Sequence, residues 1–267
     1  MKINFYLELL SLISFLLFFI TSFINLDSKS TTNKLIYLSN LFFLAILSLY
    51  YYIFSYNNYS ELTNIVALLL VILFFTFFFL SIFSFKFVKL RVLFIPFFFI
   101  LIIFRFLTSM NSNNSQTAVD FFSNELMLTH ILSSLFAYSM LTVSAVTSCC
   151  VFIKVKALKQ MSYNLSLVNL LPSLYESEIL SLRFLKMTVF FLLISLISGF
   201  LYHLDEYSDL NYFFNNKVIL SVITLILIII FILIRHFKGL SNITTFKVIL
   251  LSYLFINLSY FGIKLMN

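Results

Sequence analysis

The sequence predicts an all-α fold, a polytopic transmembrane helix bundle of about eight spans with both termini on the outer (periplasmic) side. Three observations carry this. The 267 residues are 62% hydrophobic and only 10% charged, with a mean hydropathy of +1.07. A soluble chain is about 45–50% apolar and about 25% charged. Apolar runs of spanning length recur along the whole chain, since a helix needs roughly 20 such residues to cross a bilayer. Within the runs Phe, Leu and Ile repeat without the every-second-residue alternation of an outer-membrane barrel. These features exclude a soluble enzyme, a disordered tail, a disulfide-stapled secreted module and a nucleic-acid-binding domain. The net charge of +7 is spread over short loops.

In chain order the spans fall at 3–25, 35–55, 62–85, 92–109, 127–153, 184–204, 217–235 and 247–266. The first follows Met1-Lys2 and resembles a signal peptide, but it lacks a small-residue cleavage site and more spans follow, so it is read as span one. Short polar connections separate the runs, such as Asp27 to Asn33 and Asn111 to Ser115. No internal repeat or second domain is visible, so 1–267 reads as a single integral membrane domain. Phe, Ile, Lys, Asn and Tyr abound while Gly (3), Pro (2) and Trp (0) are scarce. This is the imprint of A/T-rich codons, and it makes the Phe runs lipid-facing filler.

Lys and Arg in short loops set orientation. With the N-terminus outside, the cytoplasm receives Lys29, Lys34, Lys86, Lys89, Arg91, Lys154, Lys156, Lys159, Arg183, Lys186, Arg235, Lys238 and Lys247 of the 17 basic residues. The outer side receives most of the acids: Glu8, Glu61, Asp120, Glu125, Asp205, Glu206 and Asp209.

An ionisable group within a span costs on the order of 3 kcal/mol on insertion scales, which marks it as a functional candidate. Four lie toward the outer ends of their helices: Glu8, Arg105, His130 and His203. Arg105 either snorkels or pairs with Glu8 or a ligand carboxylate. His203 borders Asp205 and Glu206, as a solvated loop residue does, and His236 beside Arg235 reads as basic flanking. His130 heads a polar strip with Ser134, Tyr138 and Thr142, each four residues apart, continuing through small residues to Cys149. Such a face belongs against other helices.

Other chemistry is sparse. Cys149 and Cys150 are adjacent, without CxxC spacing, and read as packing residues. No phosphate-binding Gly-rich loop, HExxH or GxSxG turn occurs, so no enzyme is indicated. Neutral imidazole is a standard axial ligand of haem, which makes haem the cofactor this inventory permits.

From residue 127 onward the order of features resembles the cytochrome c assembly membrane protein family, which includes the CcsA, CcmC and HemX types. Thr129-His130 followed by Ser133, Ser134, Ala137 and Tyr138 is similar to the family's His-initiated span. Leu171-Pro172-Ser173-Leu174, Glu178, Arg183 and a span ending at Gly199 are similar to its Leu-Pro-x-Leu, loop Arg and Gly-terminated span. Asn216-Lys217, Arg235 and Tyr260-Phe261-Gly262 follow in the family's order. The resemblance implies a multi-pass protein of the bacterial inner membrane that binds or handles haem at its outer face for cytochrome maturation. It would work with other cytochrome c maturation proteins and perform no catalysis itself. His130 would be an axial ligand of the haem iron. His203 would stand in for a second ligand, Tyr207, Tyr212 and Phe213 would pack the macrocycle, and Arg105 would meet a propionate.

Two departures place it with the short HemX/YpjD-like branch. The stretch 203–216, where the family has a Trp-rich loop, holds no Trp, and the chain stops at Asn267 before the second outer His of larger members. A membrane scaffold or regulator on the same fold that no longer binds haem is the alternative. A solute transporter would need broken helices and an inverted repeat, which are not visible.

Overall fold

The computed structural model describes residues 2–22, 31–55, 61–83, 85–110, 124–160, 171–207 and 215–259. The described residues are helical apart from turns and caps. In order they are α1 (Lys2–Ser22), α2 (Thr31–Ser55), α3 (Glu61–Phe83), α4 (Phe85–Lys89), α5 (Arg91–Met110), α6 (Glu125–Lys159), α7 (Leu174–Tyr207), α8 (Asn216–Lys238) and α9 (Asn242–Asn257). Six of these are long and apolar enough to cross a membrane, and α9 and the described Leu9–Ser22 part of α1 are shorter apolar helices. The polytopic helical bundle is as expected. The expected ends of the first and last spans, at 25 and 266, lie outside the described residues.

The helices form two compact units, Met1–Val119 and Asp120–Asn267. In the first, α1, α2, α3 and α5 pack in a ring, with α4 as a one-turn link beside α3 and α5. Its core is aromatic. Phe18, Phe74, Phe77, Phe94 and Phe98 are fully buried, with ring centroids 4.0 Å apart for Phe77–Phe94 and 4.6 Å for Phe74–Phe98. This corrects the expectation that the Phe runs are lipid-facing filler. Lipid is as apolar as Phe, so hydrophobicity does not sort residues in or out. Ring shape and edge-to-face contacts do, and aromatic pairs gain about 0.5–1.5 kcal/mol from them. Other Phe residues, such as Phe43, Phe83 and Phe99, do face outward.

Two arginines bracket that core, both on α5. Arg91 is 2% exposed and donates to the carbonyls of Ser22 at 2.7 Å and Val88 at 3.0 Å, so it caps the last turns of α1 and α4. The guanidinium also lies 5.9 Å from the Tyr37 ring centroid. Arg105, 14 residues on, donates to Ser11 Oγ at 2.7 Å and stacks 4.1 Å from the ring centroid of Tyr51. Tyr37 and Tyr51 are themselves 14 residues apart on α2. The two Arg–Tyr pairs therefore run in register between α2 and α5, which point the same way.

In the second unit α6, α7, α8 and α9 form a ring in which α6 packs on α7 and α9, and α8 packs on α7 and α9. Asn124, Asn215 and Ser241 cap α6, α8 and α9 with side-chain oxygens. Gly239 takes φ +65° where α8 ends, a region open to glycine. Spans 127–153 and 184–204 become longer helices, of 35 residues in α6 and 34 in α7. At 1.5 Å per residue each is about 50 Å long, against a hydrocarbon core of about 30 Å. The expected boundaries stopped at Lys154 and Arg183 because charge leaves lipid there, but a helix continues readily into water. Lys154 Nζ reaches the Leu171 carbonyl at 3.1 Å and ties the emerging ends together.

Candidate functional site

The candidate site is built where α6 meets α7. Small side chains line the seam: Ala137 and Ser144 on α6, and Ser181, Thr188, Ser195, Ser198 and Gly199 on α7, all buried. They let the backbones approach closely enough for side chains of one helix to reach carbonyls of the other. Two such bonds lie 14 residues apart on both helices. Ser144 Oγ donates to the Ser181 carbonyl at 2.8 Å, and His130 Nδ1 lies 2.7 Å from the Ser195 carbonyl. Fourteen residues is two heptads, the repeat that keeps one seam facing the same partner in antiparallel helices.

The His130 contact fixes the chemistry of the ring. A carbonyl only accepts, so Nδ1 carries the proton, and in the neutral imidazole Nε2 then holds the lone pair. Nε2 has no hydrogen bond among the described residues. Ser195 Oγ lies 3.2 Å from Nδ1 and 3.5 Å from the carbonyl of His130, to which it donates. The ring is thus held from one side by a single residue of α7. An Nδ1–H bond to a carbonyl is the usual support behind a metal-ligating histidine, because it fixes tautomer and orientation.

The rest of the strip headed by His130 divides. Ser134 Oγ bonds the Ile131 carbonyl within its own helix. Tyr138 turns to α9, where its hydroxyl donates to Asn257 Oδ1 at 2.8 Å and lies 3.1 Å from Tyr253 Oη. Thr142 Oγ1 donates back to the Tyr138 carbonyl. Each four-residue step turns a helix by about 40° beyond a full circle. Two steps carry the strip from the α7 neighbour to the α9 neighbour. Cys150 Sγ sits 3.3 Å from Ser177 Oγ, in keeping with a packing role, and both cysteines are free.

The other expected residues are dispersed. His203 lies inside α7, half-buried, rather than in a loop. It stands eight residues beyond Ser195, about 12 Å along the helix axis. His130 and His203 therefore share one end of the α6–α7 pair at different depths. Arg105 belongs to the first unit and is 4% exposed. It is held by Ser11 and Tyr51 rather than snorkelling. The side chains of Glu8 and Tyr207, and residues Tyr212 and Phe213, lie outside what the structure describes. Among the described residues no group of three or more His, Cys, Asp or Glu is placed to hold a metal ion.

Sequence reasoning missed two features. Ser195 and Ser198 passed as ordinary small residues of a span, though their place beside Gly199, in a chain with three glycines, marks a close helix approach. At the far end of the unit, Arg235 of α8 pairs with Glu178 of α7 and donates to Thr245 of α9. One guanidinium thus joins three helices beside a small polar recess that also includes Ser148, Ser181 and Asn242. The sequence alone places Arg235 at the end of its span and gives Glu178 no partner.

These features define a class: a multi-pass helical membrane protein whose second unit presents a tautomer-fixed histidine on a hydroxyl-rich seam. The family model for cytochrome c assembly protein matches residues 36–267. The chain belongs to that family, and its role lies in cytochrome c assembly. The match begins well before residue 127, where the resemblance in the sequence starts, so the family relationship takes in much of the first unit. No curated protein and no solved structure matches the chain.

Proposed function

We propose that the protein binds haem at the outer end of its second unit, with His130 Nε2 as an axial ligand of the iron. It would hold or hand on the cofactor for cytochrome c maturation in a bacterial inner membrane. The observation that carries the reading is the 2.7 Å contact between His130 Nδ1 and the Ser195 carbonyl, which aims a neutral ring and leaves Nε2 as the donor. Neutral imidazole suits haem iron. Haem would supply the prosthetic group of the cytochrome. This chain's own residues would bind and orient it, without a covalent step of their own. His203, Tyr207, Tyr212 and Phe213 are the further residues of this reading. The outer location rests on the distribution of Lys and Arg, and the short HemX/YpjD-like branch on the absence of Trp from 203–216.

The absence of Trp favours a second reading, a scaffold on the same fold without haem. Absorbance of the protein purified in detergent, with and without added haem, separates the two. A Soret band present in wild type and absent in His130→Ala supports haem handling. Haem uptake no greater than that of an unrelated membrane protein leaves the scaffold.

A further inference from the structure

The carbonyl that holds His130 is shared. Besides the helical N–H it accepts from the next turn, the Ser195 oxygen lies 2.7 Å from His130 Nδ1 and 3.1 Å from Ser198 Oγ. Ser198 Oγ has a second acceptor in the Ile194 carbonyl at 2.8 Å, so its one proton is divided between two oxygens. On the other side the Nδ1 proton is divided as well, between the Ser195 carbonyl and Ser195 Oγ at 3.2 Å. Ser195 and Ser198 are buried. At low dielectric, sharing a donor or an acceptor changes bond strength more than it does in water.

We infer that Ser198 is a positioning residue that sets how strongly His130 donates from Nδ1, and through the ring how electron-rich Nε2 is. A hydroxyl donating to a carbonyl draws density from the oxygen and weakens the other bonds that oxygen accepts. With Ser198 in place the His130–carbonyl bond is held below its full strength. Without that hydroxyl, Nδ1–H binds the carbonyl more tightly, the ring gains imidazolate character, and Nε2 becomes the stronger donor. Ser195 Oγ acts in the same direction by taking part of the proton away from the carbonyl. The inference rests on His130 being the ligand-bearing residue only for its last consequence. The hydrogen-bond balance itself needs no ligand.

The test is proton and nitrogen NMR of the His130 ring in selectively labelled protein without haem. In Ser198→Ala the Nδ1 proton resonance moves downfield from wild type. Ser198→Thr, which keeps the hydroxyl, restores it, and Ser195→Ala moves it downfield as well. If Ser198→Ala fails to fold, Ser198→Cys, with a weaker donor, gives a smaller shift of the same sign. An unchanged or upfield resonance in these variants overturns the inference, whatever happens to stability. In haem-loaded protein the same variants lower the midpoint potential of the iron. If no haem binds, the proposed function fails while the ring resonance still decides this point.

Discussion

At the scale of single residues, three polar side chains in spans are placed for two different physical reasons. His130 is oriented by a backbone carbonyl, which is how a donor is prepared. Arg91 and Arg105 are oriented by carbonyls, a hydroxyl and aromatic faces inside the first unit, which is how a buried cation is kept from destabilising a fold. Arg105→Lys therefore loses the flat stack over Tyr51 and lowers stability by about 1–2 kcal/mol, read as a reduced Tm in detergent. Arg105→Glu places an acid in the same pocket and abolishes folding, read as loss of the monodisperse peak on size exclusion. If instead Arg105→Lys leaves Tm unchanged and removes only haem binding, Arg105 serves the cofactor rather than the bundle. The identity of His130 as the leading candidate was legible in the sequence, because it headed a run of hydroxyl residues at helical spacing. Its partner was not, since Ser195 is 65 residues away and contributes its carbonyl, a group every residue carries. Only the register of two helices selects one carbonyl among many.

At the scale of elements, the seam between α6 and α7 is the feature the site depends on. Small residues bring the helices together, and side-chain bonds two heptads apart hold one alignment. Interhelical hydrogen bonds in membranes contribute only about 0.6 kcal/mol each on average. The alignment therefore rests mainly on close packing, with Arg235 of α8 fastening the N-terminal end of α7 and the start of α9. Arg235→Gln leaves Glu178 partly buried without its cation and costs about 1–3 kcal/mol. The exchanged pair Arg235→Glu with Glu178→Arg recovers part of that loss, while either exchange alone does not. Thermal unfolding of the four proteins measures the coupling, and equal losses in the single and double variants would contradict it. Helix existence was legible from composition alone, but helix length was not. Hydropathy marks where lipid ends, and α6 and α7 continue past that point because Lys154, Lys159, Glu176 and Glu178 are good helix formers in water.

At the scale of the whole molecule, the two units divide the chemistry. The first buries an aromatic core between two arginines, and the second carries the hydroxyl-rich seam and the oriented histidine. Membrane class was fixed by the scarcity of charge, and family membership by an ordered series of weak motifs now extended to residues 36–267. What stayed illegible was the direction in which aromatic residues face, because lipid and protein interior are equally apolar. Orientation is tested with a single reactive cysteine at Asn114 in a background with Cys149 and Cys150 replaced. Labelling of intact spheroplasts by an impermeant maleimide agrees with an outer 111–115 loop, and labelling only after lysis reverses the topology. The central claim is tested most directly by titrating ferric haem into detergent-purified wild type, His130→Ala, His203→Ala and His236→Ala and following the Soret band. The account predicts saturable binding in wild type and His236→Ala and its loss in His130→Ala. Equal binding by wild type and His130→Ala would contradict it.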